Sequence, residues 1–233
     1  MKNFLLILVL SVSSFFSFTK LNAQSERRDV GTYEGIHIAG SYDVMLTSGS
    51  EGSITLEGSS DDLSNIESYV KKGILIIKKK NTSWFNDWKT GKVNINIPVE
   101  QISEVILSGS GSIESKIPLK FPRIKALISG SGDIDIEVEA ENVNGTVTGS
   151  GDLTLKGSAD QVTFFLTGSG TIEAEKLIAK EGEAQITGSG NVEMYSSEVL
   201  QAKITGSGDL RCYGSPTRQS TKVTGSGDIM IRD

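Results

Sequence analysis

Seven positions at a near-constant interval carry side chains that could hold a cation or move a proton: Ser112, Asp133, Asp152, Thr171, Asn191, Asp209 and Asp228. Two neighbouring pairs are carboxylates, Asp133 with Asp152 and Asp209 with Asp228. At a strand spacing of about 4.8 Å such a pair repels by roughly 1 kcal/mol in water and 3–4 at an effective dielectric of about 20. A divalent cation would relieve that. The same spacing lies near the roughly 5–5.5 Å between the acids of a retaining glycosidase. An acid pair, however, needs two different environments, one of which raises a pKa. Equivalent positions of a repeat supply a single environment. Ser, Thr and Asn also interrupt the column, losing the charge but keeping the capacity to bond a turn N–H. The column therefore reads as backbone capping at a bend. No metal, cofactor or catalytic residue is expected, and Asp133, Asp152, Asp209 and Asp228 stay as weak cation candidates.

Other chemistry is sparse. His37 is the only histidine and Cys212 the only cysteine, so a His-based metal site, a Ser-His-Asp triad or an internal disulfide has no support. His37 stands between two isoleucines and is expected to point outward from a strand. Cys212 falls in a column otherwise filled by Ile and Leu, which suits a small core residue. The Gly-Ser-Gly triplets resemble phosphate loops only superficially, because strand-like residues follow them where a helix would have to start. One segment breaks the pattern: "KKKNTSWFNDWKTGK" (78–92) puts Trp84, Phe85 and Trp88 in a polar loop. Aromatic faces there could meet a sugar ring or a protein partner, or fold back to close one end of the molecule. They are the candidate binding residues.

What must position these residues is a repeat. Gly-Ser-Gly begins at Gly109, Gly130, Gly149, Gly168, Gly188, Gly206 and Gly225. Two residues earlier stand Leu107, Ile128, Val147, Leu166, Ile186, Ile204 and Val223, and the residue between is always Ser or Thr. Two and four residues after the second glycine the positions are again mostly apolar. That alternation has a period of two, so each triplet joins two strands with one buried face. A single copy cannot bury that face, but stacked copies can. The pattern predicts an all-β, right-handed parallel β-helix of roughly 19-residue coils over 105–233, with the hydroxyl column forming a ladder. A worn copy, "IAGSYDVML" (38–46), has Tyr42 in place of the second glycine, so residues 30–105 are expected to form an irregular β layer continuous with the coils. Strands are expected near 42–46, 53–57, 74–79, 93–97 and 102–107, with 61–70 a short helix or a crossover. Antiparallel hairpins in a sandwich are the rival architecture.

Lys2, the apolar run 4–12 and Ala23 read as a secretory signal over 1–23, leaving a single domain over 24–233. No later stretch is long and apolar enough to cross a membrane. The formal charge is −6, and losing Lys2 and Lys20 makes it −8, which disfavours non-specific nucleic-acid binding. "YEGIHIAGSYDVMLTSG", "VKKGILIIKKK" and "VNINIPVEQISEVILSGSGSI", followed by the GSGD repeats, resemble the bacterial auto-transporter adhesin, head GIN-type domain family. The resemblance implies an exported β-helix suspected of adhesion, without known catalytic residues. The expected function is a non-enzymatic surface, periplasmic or extracellular protein that binds a glycan or protein ligand. The alternatives are a polysaccharide-acting enzyme or a self-associating structural module, a homo-oligomer.

Overall fold

A computed structural model describes residues 24–80 and 91–232. The chain is a β-solenoid, and its glycine triplets are the bends. Gly109, Gly130, Gly149, Gly168, Gly188, Gly206 and Gly225 pair with one another coil by coil in parallel strands. The strands leaving the bends pair the same way, Ile113 with Ile134, Leu153, Ile172, Val192, Leu210 and Ile229 in turn. This parallel pairing excludes the hairpin sandwich. The inward columns are the core: Ile128, Val147, Leu166, Ile186 and Ile204 are all at most 1% exposed. Burying each contributes about 1.5–3 kcal/mol.

Irregular steps in the sequence have local answers. The 20-residue step from Gly168 to Gly188 places one extra residue opposite Thr154–Lys156, where the register shifts. That is a bulge, which absorbs a residue without disturbing the next bend. The 18-residue step to Gly206 is shortened at Ser196, which is fully buried and bonds the Val199 carbonyl at 2.6 Å.

The first third is more regular than the expected irregular layer, because it contains two further coils. Strands Gly35–Gly40 and Asp43–Ser48 stack on Glu104–Gly109 and Ser112–Ser115, with Gly40 on Gly109 and Val44 on Ile113. Strands Ile74–Lys79 and Asn94–Val99 stack on the other side of that same coil. Chain order and spatial order therefore differ: the coil formed second lies outermost. Beyond it the direction reverses. Ile66–Lys71 runs antiparallel to Ile74–Lys79, while Gly52–Gly58 runs antiparallel to both Asn94–Val99 and Gln24–Gly31. A one-turn helix, Ser60–Ser64, carries Leu63 into the core at this end, 1% exposed. Its start is set by Ser59, whose hydroxyl accepts the Asp62 N–H.

The hydroxyl column stacks in register, Ser129 beside Thr148 and on through Thr167, Thr187, Thr205 and Thr224, but hydrogen bonds do not tie it together. Thr148, Thr167, Thr187, Thr205 and Thr224 are exposed and make no hydrogen bonds with one another. The bend is held by backbone instead. The N–H groups of Ser131, Ser150, Ser169, Ser189, Ser207 and Ser226 each donate 2.9 Å to the first-glycine carbonyl of the preceding coil.

Candidate functional site

Every GSG coil turns its bend the same way, with one exception upstream. In the coil of Ile74–Lys79 and Asn94–Val99, the bend is replaced by a longer stretch that leaves at Lys80 and returns at Gly91. The short helix holds both ends of it. The Lys80 N–H donates to the Asn65 carbonyl at 2.8 Å and its ammonium to the Ser64 carbonyl at 2.6 Å. The Gly91 N–H donates to Asp62 Oδ1 at 3.0 Å.

Beside the returning arm lies an open groove of about 410 Å³. Four adjacent strands build it, and their pairing fixes what faces out. Thr55, Asn96, Met45 and Glu114 form one row across the sheet; Glu57, Asn94, Asp43 and Ser112 form the next. Residues two apart on a strand share a face, so these eight side chains make one outward lattice, with Lys92 at its edge. Met45 is its one apolar member. The Lys92 ammonium sits 3.0 Å from Asp43, and Ser112 donates to the same carboxylate at 2.9 Å. The Lys92 bond, more than the Ser112 one, pulls the Asp43 pKa below the usual carboxylate value against a smaller opposing effect of burial. The Thr47 hydroxyl donates to Asn96 Oδ1 at 2.8 Å. Lys116 pairs with Glu114. These are surface ion pairs, worth at most about 1 kcal/mol each.

The family profile described as "Putative auto-transporter adhesin, head GIN domain" matches residues 32–216. The chain belongs to this family. No curated protein matches it. The head GIN fold recurs in solved structures. One described as a putative adhesin from Bacteroides fragilis superposes with a TM-score of 0.81 at 22% identity, over 91% of this chain and 98% of that one. One described as a putative lipid binding protein from Parabacteroides distasonis gives 0.71 at 24%, over 91% and 97%. A third, described as a putative adhesin from Parabacteroides merdae, gives 0.70 at 19%, over 91% and 96%.

Within this head GIN domain the aspartate column bonds backbone. Asp133 Oδ1 accepts the Asp152 N–H (3.4 Å), Asp152 that of Thr171 (3.1 Å), Asn191 that of Asp209 (3.0 Å) and Asp209 that of Asp228 (2.9 Å). Asn191 does the same work as its acidic neighbours, so this bond does not require charge. Among the described residues no group of three or more His, Cys, Asp or Glu is placed to hold a metal. Trp84, Phe85 and Trp88 lie outside the described residues, as does the expected signal over 1–23. Lys80 and Gly91 nonetheless place the two ends of the aromatic segment where the later coils carry Gly-Ser-Gly.

His37 is half-buried and points away from its buried neighbours Ile36 and Ile38. Its Nε2 lies 3.0 Å from Ser108 Oγ. That is a base–hydroxyl pairing, but among the described residues no carboxylate bonds the ring to orient it. Cys212 is fully buried, and desolvation pushes its thiol up to about 11. The groove residues escaped sequence reasoning, because Asn94, Asp43 and Glu57 meet only through an out-of-order coil and an antiparallel strand. The available signal was "VNINIP", where two asparagines alternate with buried isoleucines.

Proposed function

We propose that this chain is an exported, non-enzymatic adhesin-like module that holds a ligand on the outer face beside the interrupted bend. The carrying observation is the break in repetition. GSG coils repeat one bend, whereas the outermost coil replaces it with a clamped insertion, and a polar groove opens beside that insertion. Repetition builds a scaffold; departures from it are where binding is put. Family membership supports the adhesin reading and a surface address. Among the described residues the titratable groups support binding over catalysis: the aspartate column is engaged with backbone, the Cys212 thiol is kept protonated in the core, and no carboxylate orients His37.

The test uses beads coated with the full chain on panels of immobilised glycans, lipid vesicles and matrix proteins. Retention on one class of surface is expected, lost in Asn96→Lys and kept in Lys222→Glu at the far end. Retention indifferent to Asn96→Lys would refute the reading, as would depolymerisation of any polysaccharide on the panel.

A further inference from the structure

We infer that the groove between Glu57 and Glu114 is a carbohydrate subsite for a neutral or amino-bearing oligosaccharide, and that it turns away sulfated and uronic ones. This rests on the adhesin reading and names its ligand class. A sugar ring offers hydroxyls in neighbouring pairs, each both donor and acceptor. Groups that put a donor and an acceptor side by side satisfy such a pair, and a carboxamide does so with one side chain. Asn94 and Asn96 lie two apart on one strand and so face the groove together. Thr47 holds Asn96 by its Oδ1, which leaves the Nδ2 donors without a partner among the described residues. Glu57, directly opposite Asn94, accepts only, and no cation pairs with it among the described residues. Met45, between Asn96 and Glu114, supplies a polarizable apolar surface for the C–H face of a ring.

Other occupants fit less well. A peptide that adds a strand needs an open sheet edge. The four strands here are each paired on both sides, the outer two by Gln24–Gly31 and by the strand from Asp133. Among the described residues a polyanion would meet three carboxylates, Asp43, Glu57 and Glu114, against the one ammonium of Lys92 in the groove. Lys116 is already engaged by Glu114, and Arg27 stands one strand beyond, opposite Thr55. An acyl chain needs an apolar cleft, and the outward lattice offers only Met45.

The experiment probes the full chain on an array of neutral, N-acetylated, free-amino, sulfated and uronic oligosaccharides, with affinities confirmed by calorimetry. Neutral or amino-bearing members should bind and acidic ones should not. Asn94→Ala/Asn96→Ala should weaken binding at least tenfold with an unchanged circular dichroism spectrum. Glu57→Gln should spare neutral sugars and weaken free-amino ones several-fold. Binding confined to acidic sugars, or binding unmoved by the double substitution, overturns the inference. If no saccharide binds at millimolar concentration the inference also fails. Bead retention that still depends on Asn96 would then leave the adhesin reading standing; retention that does not would end both.

Discussion

Gly149 and Gly52 have nearly the same φ, +127° and +130°, yet alanine should affect them very differently. At Gly52 a Cβ would meet nothing within 4 Å. The cost is then the strained conformation alone, of order 1–3 kcal/mol. At Gly149 the same Cβ would stand 2.2 Å from the carbonyl oxygen of Gly130 in the preceding coil. That oxygen belongs to backbone and is already accepting the Ser150 N–H at 2.9 Å. Relieving the clash means separating two coils at the bend and giving up that bond. Losing that bond costs about 0.5–1.5 kcal/mol net beyond the strain, and parting the two coils adds to it. Gly149→Ala should therefore lie about 2 kcal/mol below Gly52→Ala. At this chain length that is a gap of about 4–8 °C in Tm. Urea and thermal unfolding followed by circular dichroism, on both variants side by side, measure the difference. If the two fall equally, the glycines are there for their dihedral angle only, and close stacking of bends is not what selects them.

Asp209→Asn should be nearly neutral, because Asn191 already makes the equivalent bond, whereas Asp209→Ala should cost about 0.5–1.5 kcal/mol; urea midpoints of the pair check this. The Asp43 pKa is lowered in the folded protein, chiefly by Lys92. Its contribution to stability is therefore complete above the ordinary carboxylate range and lost as pH falls through the lowered folded value. An NMR titration should show the Asp43 midpoint rising in Lys92→Ala. The Cys212 thiol titrates at about 11 when folded. It should resist a thiol reagent at pH 8 and react on unfolding, and its stabilising contribution should fade as pH rises from its ordinary value toward 11.

The coils were legible in the sequence because their cause is local. Ile134 and Ile136 alternate with polar residues, Gly130 needs a positive φ, and the pattern recurs before it can be diluted. The upstream strands at 43–48, 52–58, 74–79, 94–99 and 104–109 fell within two residues of expectation for the same reason. Their arrangement did not follow. Nothing within Ile74–Lys79 says that it lies outside Gly35–Gly40, and nothing in "GSITLEG" says that it runs antiparallel to "NINIPV". Strands Gln24–Gly31 and Ile66–Lys71 were missed because they are charged and lack a clean apolar alternation: of their residues only Ile66 is buried. The groove inherits this gap: its members are ordinary polar residues made neighbours by long-range pairing. The hydroxyl column misled in part, for the opposite reason. A regular column suggests a bonded ladder, but the backbone of Gly-Ser-Gly already supplies the inter-coil bonds and leaves the threonines to solvent.

Tyr42 separates these two kinds of knowledge. By the repeat alone it is a defect, since every later copy has glycine there, and a consensus design would restore Tyr42→Gly to gain stability. The geometry argues the reverse. A Cβ on Gly109 would strike the Gly40 carbonyl of the preceding coil, but a Cβ on Gly40 would strike the Tyr42 ring, 2.6 Å from Cε2. The ring therefore stands where a preceding Gly-Ser-Gly would stand, and the outermost coil has no Gly-Ser-Gly there, its described chain leaving at Lys80 and returning at Gly91. Tyr42 is 2% exposed and part of the core. Its removal opens a void at a site whose neighbours are fixed by pairing on both sides. Aromatic truncations in cores cost about 3–5 kcal/mol, and the added glycine costs up to about 1 more through backbone entropy. Tyr42→Gly should therefore lower the urea midpoint sharply. A neutral or stabilising result would mean that the interrupted coil closes over the bend without the ring. The break beside the groove would then be no more than a worn repeat.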